Sequence, residues 1–328
     1  NALGANTTGT RNTSVGRASG ATNTTSSDNT SLGYHALHTN TANDNTAIGS
    51  KALFANTTGT QNVGVGGSAL ISNTTGNYNT AVGMWALEDN TTASYNTAVG
   101  YFSLGNNTGA NNTAVGYIAL GYNTTGARNT AVGDQALEGN TTGVDNTAMG
   151  FQTLEHNTTG NYNSAFGKFA LESNTTASEN SAFGYAALYN NTTGQDDVAL
   201  GMGALEANTT GNYNIAVGNY ALDGATTAHD NLAIGFNALG ASVTGDKNIG
   251  IGNSALKSNT SGAENTALGF RALISNTTAN NNTAVGHNAL YTNTTGSNNT
   301  GIGRATMVYN STGSNNTSLG YNSLSANS

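Results

Sequence analysis

The sequence predicts an all-β fold, a parallel β-solenoid or β-roll of about 19 stacked 17-residue repeats. Three observations predict it. One phrase, Asn-Thr-Ala-Val-Gly-x-x-Ala-Leu-x-x-Asn-Thr-Thr-Gly-x-x, recurs along the whole chain of 328 residues. Glycine holds the fifth position of every repeat, from Gly16 to Gly320. Proline is absent, which suits a backbone whose N–H groups are committed to ladders. The repeat opens at Asn12, Asn29, Asn45, Asn62, Asn79, Asn96, Asn112, Asn129, Asn146, Asn163 and Asn180, then Asp197, and then at Asn214 and on to Asn316. The intervals from Asn29 to Asn45 and from Asn96 to Asn112 are one residue short. A unit of this size cannot bury a core alone and must stack on its neighbours.

Within one repeat, positions two to four read as a short strand. Position four is large and apolar, as in Val15, Leu32, Ile48, Val65, Val82, Met149, Phe166 and Phe183. Position two is mostly Thr but becomes Val63, Val198, Ile215, Leu232 and Ile249. Alternation puts these two on one face, so they are expected to point into a mostly dry space. Position three, nearly always Ala, is expected on an opposite face that something approaches closely. The glycines Gly16, Gly33, Gly49, Gly66, Gly83, Gly100, Gly116, Gly133 and Gly150 end the strand, where a backbone angle that other residues resist is expected. Ala-Leu at positions eight and nine, as in Ala52-Leu53, is expected to form a second strand, since Gly and Asn recur too often for a helix. Asn-Thr-Thr-Gly closes the coil as a turn. At roughly 4.8 Å per coil the array would make a rod of roughly 90 Å.

Composition narrows the function classes. The chain has 9 basic and 17 acidic residues, a net charge of −8, and only 8 % charged residues. That balance, without a basic patch, disfavours nucleic acid and anionic membranes. No apolar run approaches the roughly 18 residues of a membrane span. Cysteine is absent, so disulfides and thiolate chemistry play no part. The chain opens and stops inside a repeat, with no capping or targeting segment in view, which reads as an excerpt of a longer fibre: one repeat array over 1–328.

The phrase Asn129-Thr130-Ala131-Val132-Gly133 with Ala136 resembles the Ser-Val-Ala-Ile-Gly-x-x-Ala head repeat of trimeric autotransporter adhesins. Asn214-Ile215-Ala216-Val217-Gly218 and Asn231-Leu232-Ala233-Ile234-Gly235 are nearest, with an apolar second position. Related repeats occur in phage-type tail fibres. The resemblance implies a left-handed parallel β-roll, three chains side by side, displayed on a cell surface for adhesion. It covers about eight residues of each repeat. The period departs from the family's usual fourteen, and Asn-Thr-Thr-Gly is an added turn; triple β-spiral viral shafts compete as an architecture.

Stacking converts each repeat position into a column. Position twelve holds Asn6, Asn23, Asn56, Asn73, Asn90, Asn123, Asn140, Asn157, Asn174, Asn191, Asn208, Asn259, Asn276, Asn293 and Asn310, each followed two residues later by Thr or Ser. These are acceptor sequons for glycosylation and, equally, the makings of an amide ladder inside a turn. Thr-Thr pairs such as Thr91-Thr92 and Thr141-Thr142 raise ice binding as a reading, though consecutive Thr beside Gly is not the alternating pattern it needs. Position ten collects Glu88, Glu138, Glu155, Glu172, Glu206 and Asp223. Such oxygens suit calcium, but Lys257 and Gly121 in the same column point to a solvated row. Aromatics follow the glycine at Tyr34, Tyr101, Tyr117, Phe151, Tyr185, Phe236, Phe270 and Tyr321, with Trp85 beside them; they suit sugar stacking or packing between chains. His35, His38, His156, His229 and His287 share no column, so no metal array or catalytic grouping follows.

The sequence therefore reads as an extracellular, cell-surface or virion-surface fibre, with no enzymatic activity and no cofactor. Its expected roles are surface extension, adhesion or coating. Its expected partners are further copies of itself, as a homotrimer or longer fibre, and a carbohydrate or host-surface receptor.

Overall fold

The computed structural model describes residues 1–325. These divide into two compact units, the first Asn1–Tyr162 and the second from Asn163 onward. Each is a parallel β-solenoid with one strand of three residues per coil, and no helix occurs among the described residues. The first unit contains nine strands, from β1 (Thr13–Val15) to β9 (Thr147–Met149). The second contains ten, from β10 (Ser164–Phe166) to β19 (Thr317–Leu319). Within a unit each strand pairs in parallel with the next, like position on like position: Thr80 faces Thr97, Ala81 faces Ala98 and Val82 faces Val99. The short coils keep this register, with Thr30 opposite Thr46 and Thr97 opposite Thr113.

The expected second strand does not form. Ala-Leu lies in a run of turns, because position seven and the Leu at position nine are both left-handed. In the coil opening at Asn79, Trp85 has φ 61°, Leu87 φ 54° and Tyr95, at position seventeen, φ 62°. Such angles cost an L-residue about 1–2 kcal/mol. Each is offset by an amide aimed along the stack: Trp85 N–H donates to Gly67 O at 3.1 Å, Leu87 to Ser103 O at 3.0 Å and Tyr95 to Asn77 O at 3.1 Å. The stretch still joins the coil-to-coil ladder without being extended.

The strand is also inside out relative to expectation. Position three faces the core: Ala47, Ala81, Ala98, Ala131 and Ala216 are fully buried. Position four faces outward, with Val15 56 %, Leu32 47 % and Val82 37 % exposed. The reason is the width of a 17-residue coil. A Cβ built on the position-three Gly64 meets Leu53 Cγ and Ala69 O at 3.3 Å, so a methyl group already fills the gap. The core is a stack of Ala, Ala and Leu at positions three, eight and nine, flanked by buried Asn.

The position-five glycines Gly16 to Gly150 have φ between 125° and 145°, with Gly83 at 137°. A Cβ on Gly83 would stand 2.2 Å from Gly100 O of the next coil. Both the backbone angle and the coil spacing exclude a side chain there.

Candidate functional site

The conspicuous columns are two of buried Asn, one of exposed apolar residues and one of aromatics. At position twelve, fourteen of the fifteen sequon residues, Asn23 through Asn310, are buried, and Asn6 is half-buried. Asn73 is representative. Its Nδ2 donates to Asn56 Oδ1 at 2.7 Å and to Gly76 O at 3.1 Å, while Asn90 Nδ2 donates to its Oδ1 at 3.0 Å. The nitrogen that would carry a glycan already uses both its protons inside the turn, a geometry that favours the ladder reading. Where a coil lacks one residue the ladder breaks. Asn107 Nδ2 donates to Gly109 O at 2.7 Å, and Asn90 Oδ1 is left buried without a partner.

A second Asn column, at position one, has a role the sequence reading missed. Asn79 Nδ2 donates to Ala93 O at 2.9 Å, tying the start of its coil to the end. Its Oδ1 accepts from Asn96 N–H of the next coil at 3.0 Å. Ala93 O also accepts from Asn90 Nδ2 at 3.1 Å, so both columns converge on one carbonyl. The signal was in plain view: the opening residue is Asn in every repeat except Asp197, its isostere.

Asp197 can accept but, when ionised, cannot donate. Its Oδ1 accepts from Asn214 N–H at 2.7 Å and its Oδ2 from Asn208 Nδ2 at 3.0 Å. Burial, with a smaller contribution from the Asp196 carboxylate, pushes its pKa up to about 7, against the bonds from Asn214 and Asn208.

The outward strand face carries a row of large side chains. In the first unit it includes Val15, Leu32, Ile48, Val82, Val99, Val115 and Met149, and in the second Phe183, Leu200, Ile234, Leu268 and Ile302, all at least 36 % exposed. Position two adds Val198, Ile215 and Ile249 in the second unit. Phe166 and Phe183 stack with centroids 4.8 Å apart. Among the aromatics after the glycine, Tyr34, Tyr101, Tyr117, Phe151, Tyr185, Phe236, Phe270 and Tyr321 are exposed, and Trp85 is half-buried.

The position-thirteen Thr hydroxyls bond to the next coil, as Thr57 Oγ1 does to Thr74 O at 2.9 Å and Thr209 Oγ1 to Thr226 O at 2.9 Å. In the acid column burial raises the pKa of Glu88, helped by Asp89, and that of Asp223. Glu138 accepts from Gln135 Nε2 at 2.8 Å. His35 and His38 stack 4.7 Å apart beside Phe54, and burial lowers the His35 pKa. At position seventeen, Arg11 with Asp28 and Arg128 with Asp145 form exposed two-point ion pairs that hold both carboxyls below their ordinary range, pairs the sequence reading did not anticipate. No family model matches the chain, and no curated protein matches it.

Proposed function

We propose that this chain is the stacked β-coil segment of an extracellular structural fibre, which associates with further copies of itself through the outward strand face. One observation carries the reading: the coil keeps its small residues inside and shows its large ones. Ala, Leu and Asn occupy the core, while Val, Leu, Ile, Met and Phe at position four stand, exposed or half-buried, in a row along the surface of each unit. Isolated exposed apolar residues need no explanation, but a contiguous stripe marks an interaction site. Like positions pair with like along the stack, so the stripe repeats at every coil and suits another chain with the same period. The resemblance of the strand and glycine motif to trimeric adhesin heads supports three chains as the number.

Extension, adhesion or coating at a surface follows as the role of such an assembly. An ice-ordering role is served less well, because the position-thirteen Thr hydroxyls are committed to the next coil.

Light scattering after size exclusion tests the association. The expected result is a trimer for the unaltered chain, and a monomer with unchanged far-ultraviolet dichroism for the combined Val82→Asp, Val99→Asp and Val115→Asp variant. A chain that stays monomeric across its soluble concentration range overturns the reading.

A further inference from the structure

The outer side of three consecutive coils in the first unit, opening at Asn79, Asn96 and Asn112, contains a cleft of about 400 Å³. It is lined by Trp85, Tyr101, Phe102, Tyr117 and Tyr122, with Ile118 and the Glu88 carboxylate. The volume is in the range of small-molecule sites. The rings are not parallel plates: Trp85 meets Tyr101 at 66° and Phe102 meets Tyr122 at 61°, whereas Tyr101 and Tyr117 stack with centroids 5.4 Å apart. Two glycines shape the cleft. Position ten, Glu in neighbouring coils, is Gly105 and Gly121 here. Phe102 and Ile118 lie over them so closely that a Cβ on either would fall within 2.4 Å of that side chain.

Charge decides the occupant. Elsewhere several aromatics at positions six and seven carry a cation from the chain itself. Arg17 lies 5.8 Å from the centroid of Tyr34, Lys168 4.5 Å from Phe169, Arg271 4.9 Å from Phe270 and Arg304 5.5 Å from Tyr321. The cleft has no such cation: no Lys, Arg or His lies between Lys51 and Arg128. Glu88 is half-buried, its carboxylate makes no side-chain hydrogen bond or ion pair among the described residues, and Asp89 adds a second negative charge beside it. A cluster of five aromatic rings around an uncompensated carboxylate complements an organic cation, which gains ring-quadrupole attraction and charge neutralisation together. A neutral sugar could bond to the hydroxyls of Tyr101, Tyr117 and Tyr122 but would leave the charge of the Glu88 carboxylate uncompensated.

We propose that this cleft binds a quaternary ammonium group, with Trp85, Tyr101, Phe102, Tyr117 and Tyr122 as its aromatic walls and Glu88 as its counter-charge.

Trp85 is the only tryptophan, so its fluorescence reports on the cleft directly. The experiment titrates the full chain with choline chloride, with 3,3-dimethylbutanol as the uncharged isostere, with methyl glucoside, and with sodium chloride at matched ionic strength. A saturable change with choline is expected, at least about ten-fold tighter than with the isostere, and none with the glucoside or salt. Glu88→Gln should weaken choline about ten-fold, and Tyr101→Ala with Phe102→Ala should abolish it. Saturation-transfer signals from the N-methyl protons follow binding in all variants, and far-ultraviolet dichroism confirms that each is folded. Equal binding of choline and its isostere overturns the cation, binding of the glucoside alone reassigns the cleft to sugar, and a choline response indistinguishable from sodium chloride overturns the site.

Discussion

A single carboxylate in a column of amides gives the clearest consequence at the scale of one residue. Asp197 has its pKa raised in the folded chain from an ordinary 3.8 to about 7. Well below pH 3.8 the group is protonated whether folded or not, and its contribution to stability is fully present; the window of change runs from about 3.8 to about 7. As pH rises through this window the unfolded chain ionises first, so stability falls until the folded group ionises near 7. The loss then levels off at roughly 4 kcal/mol. Asp197→Asn restores the amide proton that other coils donate to the position-fifteen carbonyl. Urea midpoints at pH 5 and pH 8 should differ markedly for the unaltered chain and much less for the variant; equal differences would refute the role of Asp197. In the neighbouring column, Asn73→Ala removes three side-chain hydrogen bonds and strands the buried Asn56 Oδ1, at an expected cost of about 3 kcal/mol in urea denaturation. Intact mass should show unmodified Asn throughout the column. Sugar on these residues would mean that the turns are not the ladders seen here.

At the scale of one coil, packing reverses the usual sense of conservative substitution. Ala81→Val adds volume where the strand meets the Leu column and should destabilise by about 1–3 kcal/mol. Val82→Thr, one residue along and on the outer face, should change folding stability by less than about 0.5 kcal/mol. Thermal and urea unfolding of the two variants test the orientation of the strand, and the opposite ranking would restore an apolar interior at positions two and four. Leu87→Ala should cost about 2–5 kcal/mol through the cavity it leaves. The turn glycine, strand length and coil period were legible in the sequence, because each depends on residues close together in the chain. The facing of the strand was not. A three-residue strand reading Thr-Ala-Val alternates correctly with either face inward, and only the narrow space across the coil selects Ala. The left-handed Leu was equally hidden, since its angle is favoured by the amide it sends to the next coil rather than by its own side chain.

At the scale of the whole molecule the surface is polar, weakly charged and acidic overall, with a net charge of −8. No helix among the described residues is long and apolar enough to cross a membrane. The exposed stripe at position four and the aromatic cleft around Trp85 are two of the places where the surface departs from Asn, Thr, Ser and Gly. They lead to separate tests, since the stripe repeats at every coil whereas the cleft needs two consecutive glycines at position ten. Replacing Val82, Val99 and Val115 by Asp should therefore dissociate the assembly and leave choline-dependent fluorescence in place. Loss of both together would place the cleft at the contact between chains.

The sequence by itself determined the all-β class, the period and its two short coils, the turn at each position-five glycine, and the columns into which stacking sorts the side chains. These are properties of a repeat, readable from spacing because every coil must satisfy its neighbour with the same residues. Tertiary structure alone decided which side of the strand is the interior, and that Asn rather than Val flanks the core. It also decided that the sequon nitrogens are enclosed, and that Trp85, three tyrosines and Glu88 share one cleft. Each of these depends on distances across a coil or between coils, which one-dimensional spacing does not contain.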